Sequence, residues 1–170
     1  VVTVGVNFGD DAHMAYAARG PKRAVKGVRA ARKYSIGSIL PDNKGAYEID
    51  FTVTPSGSGE FTFTLSNSKG EQVDFAFNLA DGTLTMDRSL SGKVDFSPAF
   101  AARPVVVPLN LRKAYKCQLF VDKLSTELFI NDGDKVFTNC VFPTEVFNSF
   151  ALKAEGCKVD VGDVAVYELR

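Results

Sequence analysis

Four carboxylates and one amide crowd the stretch Phe120–Phe137, which reads FVDKLSTELFINDGDKVF. Three chemistries fit those residue types. Two carboxylates held ~5–9.5 Å apart hydrolyse glycosidic bonds, and Asp122 and Glu127 lie on either side of a Leu-Ser turn. Alternating oxygen ligands bind calcium, and Asn131-Asp132-Gly133-Asp134 resembles part of such a loop. The same residues also tolerate left-handed backbone, so they suit a hairpin tip. A calcium loop needs a Glu at its twelfth position between two helices, yet counting from Asn131 reaches Phe142 between strand-like flanks. The hairpin is therefore the expected structure, and no metal is expected.

Other chemistry finds little material. His13 is the only histidine, so every triad would have to run through it. No Cys-x-x-Cys spacing and no Gly-rich phosphate loop occurs, which leaves no zinc site of the usual kind and no cofactor to expect. The three cysteines, Cys117, Cys140 and Cys157, are read either as buried free thiols or as one Cys140–Cys157 bridge with a thiol left over. Arg88, in Asp87-Arg88-Ser89, closes an alternating run. Its planar fork suits a carboxylate, so a register-locking pair with Asp122 or Glu127 is expected.

The elements that must position these residues read as strands. Apolar side chains alternate in Tyr47–Val53, in Glu60–Leu65 and in Val73–Leu79, and most of the 14 Phe have core parity. Ser-Gly-Ser-Gly (56–59), Asn-Ser-Lys-Gly (67–70), Asp81-Gly82 and Asp132-Gly133 fall between the runs. Asp-Gly between alternating strands predicts type I′ hairpins. About eleven strands are expected from Tyr47 to Arg170, at a spacing that suits an antiparallel two-sheet β-sandwich of jelly-roll, concanavalin-like type. A 170-residue chain buries roughly 70% of its unfolded surface and needs no staple to fold.

Charge divides the chain. Residues 1–34 hold seven Lys/Arg against two Asp, and Gly20–Tyr34 has six bases and no acid. Aromatic side chains are not interleaved with these charges as on a nucleic-acid platform, so a solvated connector is expected and no nucleic-acid partner. No apolar run approaches the ~18 residues of a membrane span, so no membrane partner is expected either. The chain does not begin with Met, as expected for a trimmed fragment or mature product.

Two motifs carry a resemblance. LTMDRSLSG (Leu84–Gly92) resembles the Asp-Arg-Ser-x-Ser-Gly motif of family 32 glycoside hydrolases, the levanases, inulinases and invertases. Leu119–Thr144 resembles that family's Phe-Val-Asp-x-Ser-Ser-x-Glu-x-Phe-x-Asn-Asp-Gly segment with its following Phe-Pro. Leu124 stands where Ser is usual and Cys140 where Arg is frequent. Both motifs belong to the C-terminal β-sandwich of those enzymes. The resemblance assigns residues 25–170 to that domain and leaves 1–24 as a linker or the tail of a preceding domain.

The resemblance also implies what the chain lacks. Family catalysis belongs to an N-terminal five-bladed β-propeller, with acids in Trp-Met-Asn-Asp-Pro-Asn-like, Arg-Asp-Pro and Glu-Cys segments, and none of these occurs here. No residue is then catalytic. Asp87, Arg88, Ser89, Asp122, Glu127, Asn131, Asp132 and Gly133 become structural. The implied partner is the propeller of the same polypeptide, and the implied location is secreted or periplasmic. A fructan-binding module is the alternative, and Tyr47, Tyr115 and Tyr167 are its candidate sugar platforms. An independent enzyme is the third reading.

Overall fold

The computed structural model describes the backbone of residues 19–24, 33–35 and 43–169, with side chains from residue 43 onward. Two short strands come first, β1 (Arg19–Ala24) and β2 (Lys33–Ser35). A long strand, β3 (Tyr47–Ser66), leads into the meander β4 (Gln72–Asn78), β5 (Thr83–Asp87) and β6 (Val105–Pro108). A second meander follows: β7 (Tyr115–Asp122), β8 (Ser125–Ile130) and β9 (Lys135–Cys140). The last strand, β10 (Ser149–Leu169), runs beside β3 for nearly its whole length. Every pairing is antiparallel, and no helix occurs among the described residues.

The β3–β10 ribbon belongs to both layers of a β-sandwich. The C-terminal half of β3 (60–66) pairs with β4, which continues through β5 to β6. This is sheet I. The N-terminal half (47–53) pairs with β7, which continues through β8 to β9, forming sheet II. Rings meet across the layers: Phe77 on β4 lies 5.6 Å from Tyr115 on β7, and Phe75 on β4 lies 6.3 Å from Phe137 on β9.

The expected alternation holds in detail. In β4 the buried residues are Val73, Phe75 and Phe77, and in β7 they are Tyr115, Cys117, Leu119 and Val121. Phe61 stacks on Phe77 at 4.6 Å, and Phe63 on Phe150 at 5.6 Å. Each such ring contributes roughly 1.5–3 kcal/mol by leaving water, and Phe and Tyr rings fill the core of a chain that has no Trp. Tyr47 closes one end by donating its hydroxyl to the Phe147 carbonyl at 2.7 Å.

Three expectations change. Residues 47–169 hold eight strands rather than eleven, because two of them, of 20 and 21 residues, are about three to four times the usual length. The Ser-Gly-Ser-Gly stretch does not separate strands: β3 runs straight through it. There the ribbon bends from one sheet into the other, with a register shift in β10 between Glu155 and Cys157. The basic connector also contributes structure, since β1 pairs with the C-terminal half of β10 and β2 with its N-terminal half.

The turns differ as well. Between β4 and β5, only Gly82 has positive φ (64°), in a four-residue loop rather than a type I′ turn on Asp81-Gly82. Between β8 and β9 the pattern moves by one residue. Asn131 (49°) and Asp132 (61°) are the central pair with the positive φ values of a type I′ turn, closed by Gly133 N–H donating to the Ile130 carbonyl at 3.1 Å. Gly133 (106°) then supplies one extra left-handed residue.

One polar spot interrupts the inner face of sheet II. Thr126 on β8 faces Asn139 on β9, and both are buried. Thr126 Oγ1 and Asn139 Nδ2 have no hydrogen-bond partner among the described residues. Thr126→Val is expected to be neutral or to stabilise by about 1 kcal/mol, because it removes an unsatisfied buried hydroxyl at equal shape. Urea denaturation checks this, and a clear destabilisation would mean that the hydroxyl is engaged.

Candidate functional site

The Asp-Arg-Ser-x-Ser-Gly motif forms a clasp between the two sheets. Arg88 follows β5, at the open side of the sandwich away from the β3–β10 ribbon. Its Nη1 donates to the Cys140 carbonyl at the end of β9, 2.8 Å away. Its Nη2 donates to the Phe100 carbonyl, also at 2.8 Å, and the guanidinium lies 4.0 Å above the Phe100 ring. The expected pair with Asp122 or Glu127 is thus corrected: Arg88 holds backbone carbonyls, and those carboxylates sit elsewhere on sheet II. Carbonyls left over at a strand end need donors, and a five-donor fork can serve two of them at once.

The rest of the motif tightens the same join. Asp87 Oδ1 accepts the Ser89 N–H at 2.8 Å and turns the chain out of β5. Ser91 N–H returns to the Arg88 carbonyl at 3.0 Å. Gly92, at φ 119°, lies so close to Phe142 that an added Cβ would sit 2.3 Å from its carbonyl oxygen. Phe96, Phe100 and Phe142 form one aromatic cluster over this join, with centroids 4.6–5.5 Å apart.

The second motif holds the far end of sheet II. Asn131 Oδ1 accepts the Lys116 N–H at 2.9 Å, and Asn131 N–H donates to the Lys116 carbonyl at 2.8 Å. One side chain thereby continues the β7–β8 ladder around the turn. Asp132 meets Lys116 Nζ at 2.8 Å, and Asp134 accepts from Asn110 Nδ2 at 3.1 Å. Each carboxylate of the loop thus faces a donor in a neighbouring segment.

A third polar joint had no signal in the sequence reading. Glu71 Oε2 accepts from Asn67 Nδ2 (2.6 Å) and from the Thr144 N–H (2.8 Å), while Oε1 accepts from the Thr144 hydroxyl (2.9 Å). It ties the β3–β4 turn to the segment after Pro143. Its only trace was composition, an Asn-Ser-Lys-Gly-Glu turn and a distant Thr. Partial burial pushes the Glu71 carboxyl up, but hydrogen bonds from Asn67, Thr144 and Glu145 outweigh it and hold the carboxyl below its usual range. A depressed folded pKa gives stability that is present above the unfolded value and lost as pH falls through the folded one. Glu71→Gln is expected to flatten stability against pH on the acid side of pH 4.5, where wild type loses its Glu71 contribution. Melting temperatures across pH 2.5–6 check this, and parallel profiles would overturn it.

Asp122 and Glu127 share the outer face of sheet II. Glu127 pairs in register with Phe120, and Asp122 with Ser125 across the two-residue turn Lys123-Leu124, not Leu-Ser. They line an open groove of about 350 Å³ with Phe120, Ser125, Phe129 and Leu169. The edge-to-face pair Phe120–Phe129 (5.8 Å, 84°) forms part of its wall. This feature was legible but unread: both Phe are out of phase with Val121, Leu128 and Ile130.

The tyrosine candidates do not form a sugar platform. Tyr47 and Tyr115 are 0% exposed and Tyr167 is 4% exposed, so none offers a ring face to a ligand. All three cysteines are free thiols, and Cys140, unlike Cys117 and Cys157, is exposed. His13 also lies outside the described residues. Among the described residues no group of three His, Cys, Asp or Glu could hold a metal.

Residues 15–168 match the family profile described as "Glycosyl hydrolases family 32 C terminal". The chain belongs to this family. A levanase of Bacillus subtilis (strain 168) is 31% identical over 137 residues, covering 78% of this chain and 20% of that protein. A sucrose-6-phosphate hydrolase of Streptococcus mutans is 29% identical over 141 residues, covering 79% and 27%. An exo-inulinase structure from Aspergillus awamori matches 89% of this chain and 27% of that chain, with a TM-score of 0.66 at 21% identity. The chain thus spans between 20% and 27% of the length of these three relatives. The family match starts upstream of Val25 and takes in β1. Family 32 membership accounts for the two motifs, and the geometry gives both of them structural work within the domain.

Proposed function

We propose that this chain is the non-catalytic accessory β-sandwich of an enzyme that hydrolyses fructan or a sucrose-like substrate, and that it packs on and stabilises a catalytic β-propeller of the same polypeptide. One observation carries this reading. The residues most suited to chemistry, Arg88 and the Asn131–Asp134 cluster, are engaged in holding strand ends and turns. Asp122 and Glu127 lie on the outer face of a sheet rather than flanking an enclosed substrate site. A polymeric fructan does not cross a membrane, so a secreted or periplasmic location belongs to the reading for a levan-degrading parent.

The test compares the full-length parent with a form that ends before this domain. Removal is expected to lower the melting temperature of the propeller and shorten its active half-life. An unchanged melting temperature and half-life would overturn the reading. The 170-residue chain alone is expected to release no sugar from levan, inulin or sucrose, and to migrate unretarded through gels containing either polymer. Hydrolysis would make it an enzyme, and retardation would make it a binding module.

A further inference from the structure

Asp-Gly occurs twice in the chain, at Asp81-Gly82 and at Asp132-Gly133. The pair is labile for a simple reason. Glycine has no Cβ to shield its backbone nitrogen, so that nitrogen can reach Cγ of the preceding Asp and close a five-membered ring. Both copies lie in turns between paired strands, β4–β5 and β8–β9, and both carboxylates are exposed. With the same two residues reacting, the surrounding structure sets which copy is open to the reaction.

At Asp132-Gly133 both reacting groups are occupied. The Gly133 N–H donates to the Ile130 carbonyl at 3.1 Å, and the Asp132 carboxylate meets Lys116 Nζ at 2.8 Å. The backbone is fixed as well. Asn131 (49°) and Asp132 (61°) hold their type I′ dihedrals, and Asn131 exchanges two hydrogen bonds with the Lys116 backbone. An exposed ion pair contributes little by itself, so the bonded nitrogen and the rigid turn carry most of the protection.

At Asp81-Gly82 neither group is held. Among the described residues the Gly82 N–H has no acceptor, and the Asp81 carboxylate has no hydrogen bond or ion pair. Only the Asp81 N–H is tied, to Asn78 Oδ1 at 2.9 Å, and it lies before the peptide bond that would react. Gly82 is half-buried, but the attack is intramolecular and needs only the exposed Asp81 side chain to fold back.

We propose that Asp81-Gly82 is a site of spontaneous isoaspartate formation, and that the fold shields Asp132-Gly133 from the same reaction. The Gly82 nitrogen bonds to Cγ of the protonated Asp81 carboxyl. The proton of that nitrogen and the carboxyl hydroxyl leave together as one water. The succinimide then takes up one water. Addition at Cγ breaks the new bond and restores Asp81. Addition at the Asp81 main-chain carbonyl breaks the original peptide bond and leaves the backbone running through Cβ and Cγ. Nothing is oxidised or reduced, and the mass is unchanged. The extra backbone carbon enters next to the Gly82 carbonyl, which accepts the Leu109 N–H at 2.8 Å just beyond β6, the edge strand of sheet I. The isomerised chain loses this tie.

The test incubates the 170-residue chain near neutral pH and body temperature, once natively and once in concentrated urea. Peptide mapping with electron-transfer fragmentation locates isoaspartate at unchanged mass. In the native chain the product at residue 81 is expected to form at least about tenfold faster than at residue 132, about 1.4 kcal/mol in barrier. In urea the two sites are expected to react at similar rates. Equal native rates, a faster reaction at residue 132, or no product at residue 81 over the period in which urea yields it would overturn the proposal. A difference that persists in urea would overturn it too, because the cause would then lie in the flanking residues and not in the fold.

Two further readouts follow the structure. Asn131→Ala, which loses the bond to the Lys116 N–H, is expected to raise the rate at residue 132 and leave residue 81 unchanged. An unchanged rate at residue 132 would overturn the protection assigned to that turn. In the separated isoaspartate form the Leu109 amide is expected to exchange with solvent at least about tenfold faster than in the parent form, as a local opening would allow. Equal exchange would overturn the loosening of β6.

Discussion

Arg88→Ala is expected to destabilise the domain by about 3 kcal/mol, from two hydrogen bonds to a charged donor and one ring contact. The loss is larger than for a surface ion pair because both acceptors are backbone carbonyls. They come from different parts of the chain, Cys140 closing β9 and Phe100 in the long β5–β6 connection. Without the guanidinium, the open side of the sandwich keeps the Lys93 N–H bond to the Phe142 carbonyl (2.9 Å), the Gly92–Phe142 contact and the Phe96–Phe100–Phe142 cluster. For a chain of this length the loss corresponds to a fall in melting temperature of about 6–12 °C. Arg88→Lys is expected to recover less than half, since an ammonium is a point donor that cannot span both carbonyls. Thermal melts of the three proteins decide it. An alanine variant that melts with wild type would remove the clasp from any account of stability.

The same residue shows what a sequence can and cannot convey. That Arg88 is structural could be read from its place at the end of an alternating strand. Its partner could not, because backbone carbonyls are present at every position and leave no trace in residue types. A carboxylate was the visible candidate and the wrong one. Fold class was legible because strand periodicity is local: Phe61, Phe63, Phe75 and Phe77 sit inside as their parity requires. Turn type was less so. Asn131-Asp132-Gly133 offers two overlapping pairs that tolerate positive φ, and the Asn131 side chain, by bonding to Lys116, selects the earlier one. The groove was hidden for a different reason. Phe120 and Phe129 look like core residues by type and are outer residues only by phase, so composition and register gave opposite answers.

Gly59→Ala is expected to be the most damaging single-methyl change in the domain. Ser-Gly-Ser-Gly carries the signal of a loop, yet β3 passes through it without a break. The glycines serve the other strand. At the bend of the ribbon the backbone of β10 presses so closely that an added Cβ on Gly59 would lie 2.0 Å from the Glu155 carbonyl oxygen and 2.4 Å from the Gly156 carbonyl carbon. Both atoms are backbone, so no rotamer change relieves the overlap. The two strands must separate, and Leu79 N–H, which donates to the Gly59 carbonyl at 2.9 Å, would move with them. Overpacking of this kind costs about 3 kcal/mol or more, and here it acts on the ribbon shared by both sheets. Ser58→Ala, one residue away and exposed, is the matched control and is expected to stay within about 0.5 kcal/mol of wild type. Urea denaturation of both variants gives the comparison. If Gly59→Ala unfolds at the wild-type midpoint, the close approach of β3 and β10 is not what fixes the bend, and the register shift at Glu155–Cys157 must hold it alone.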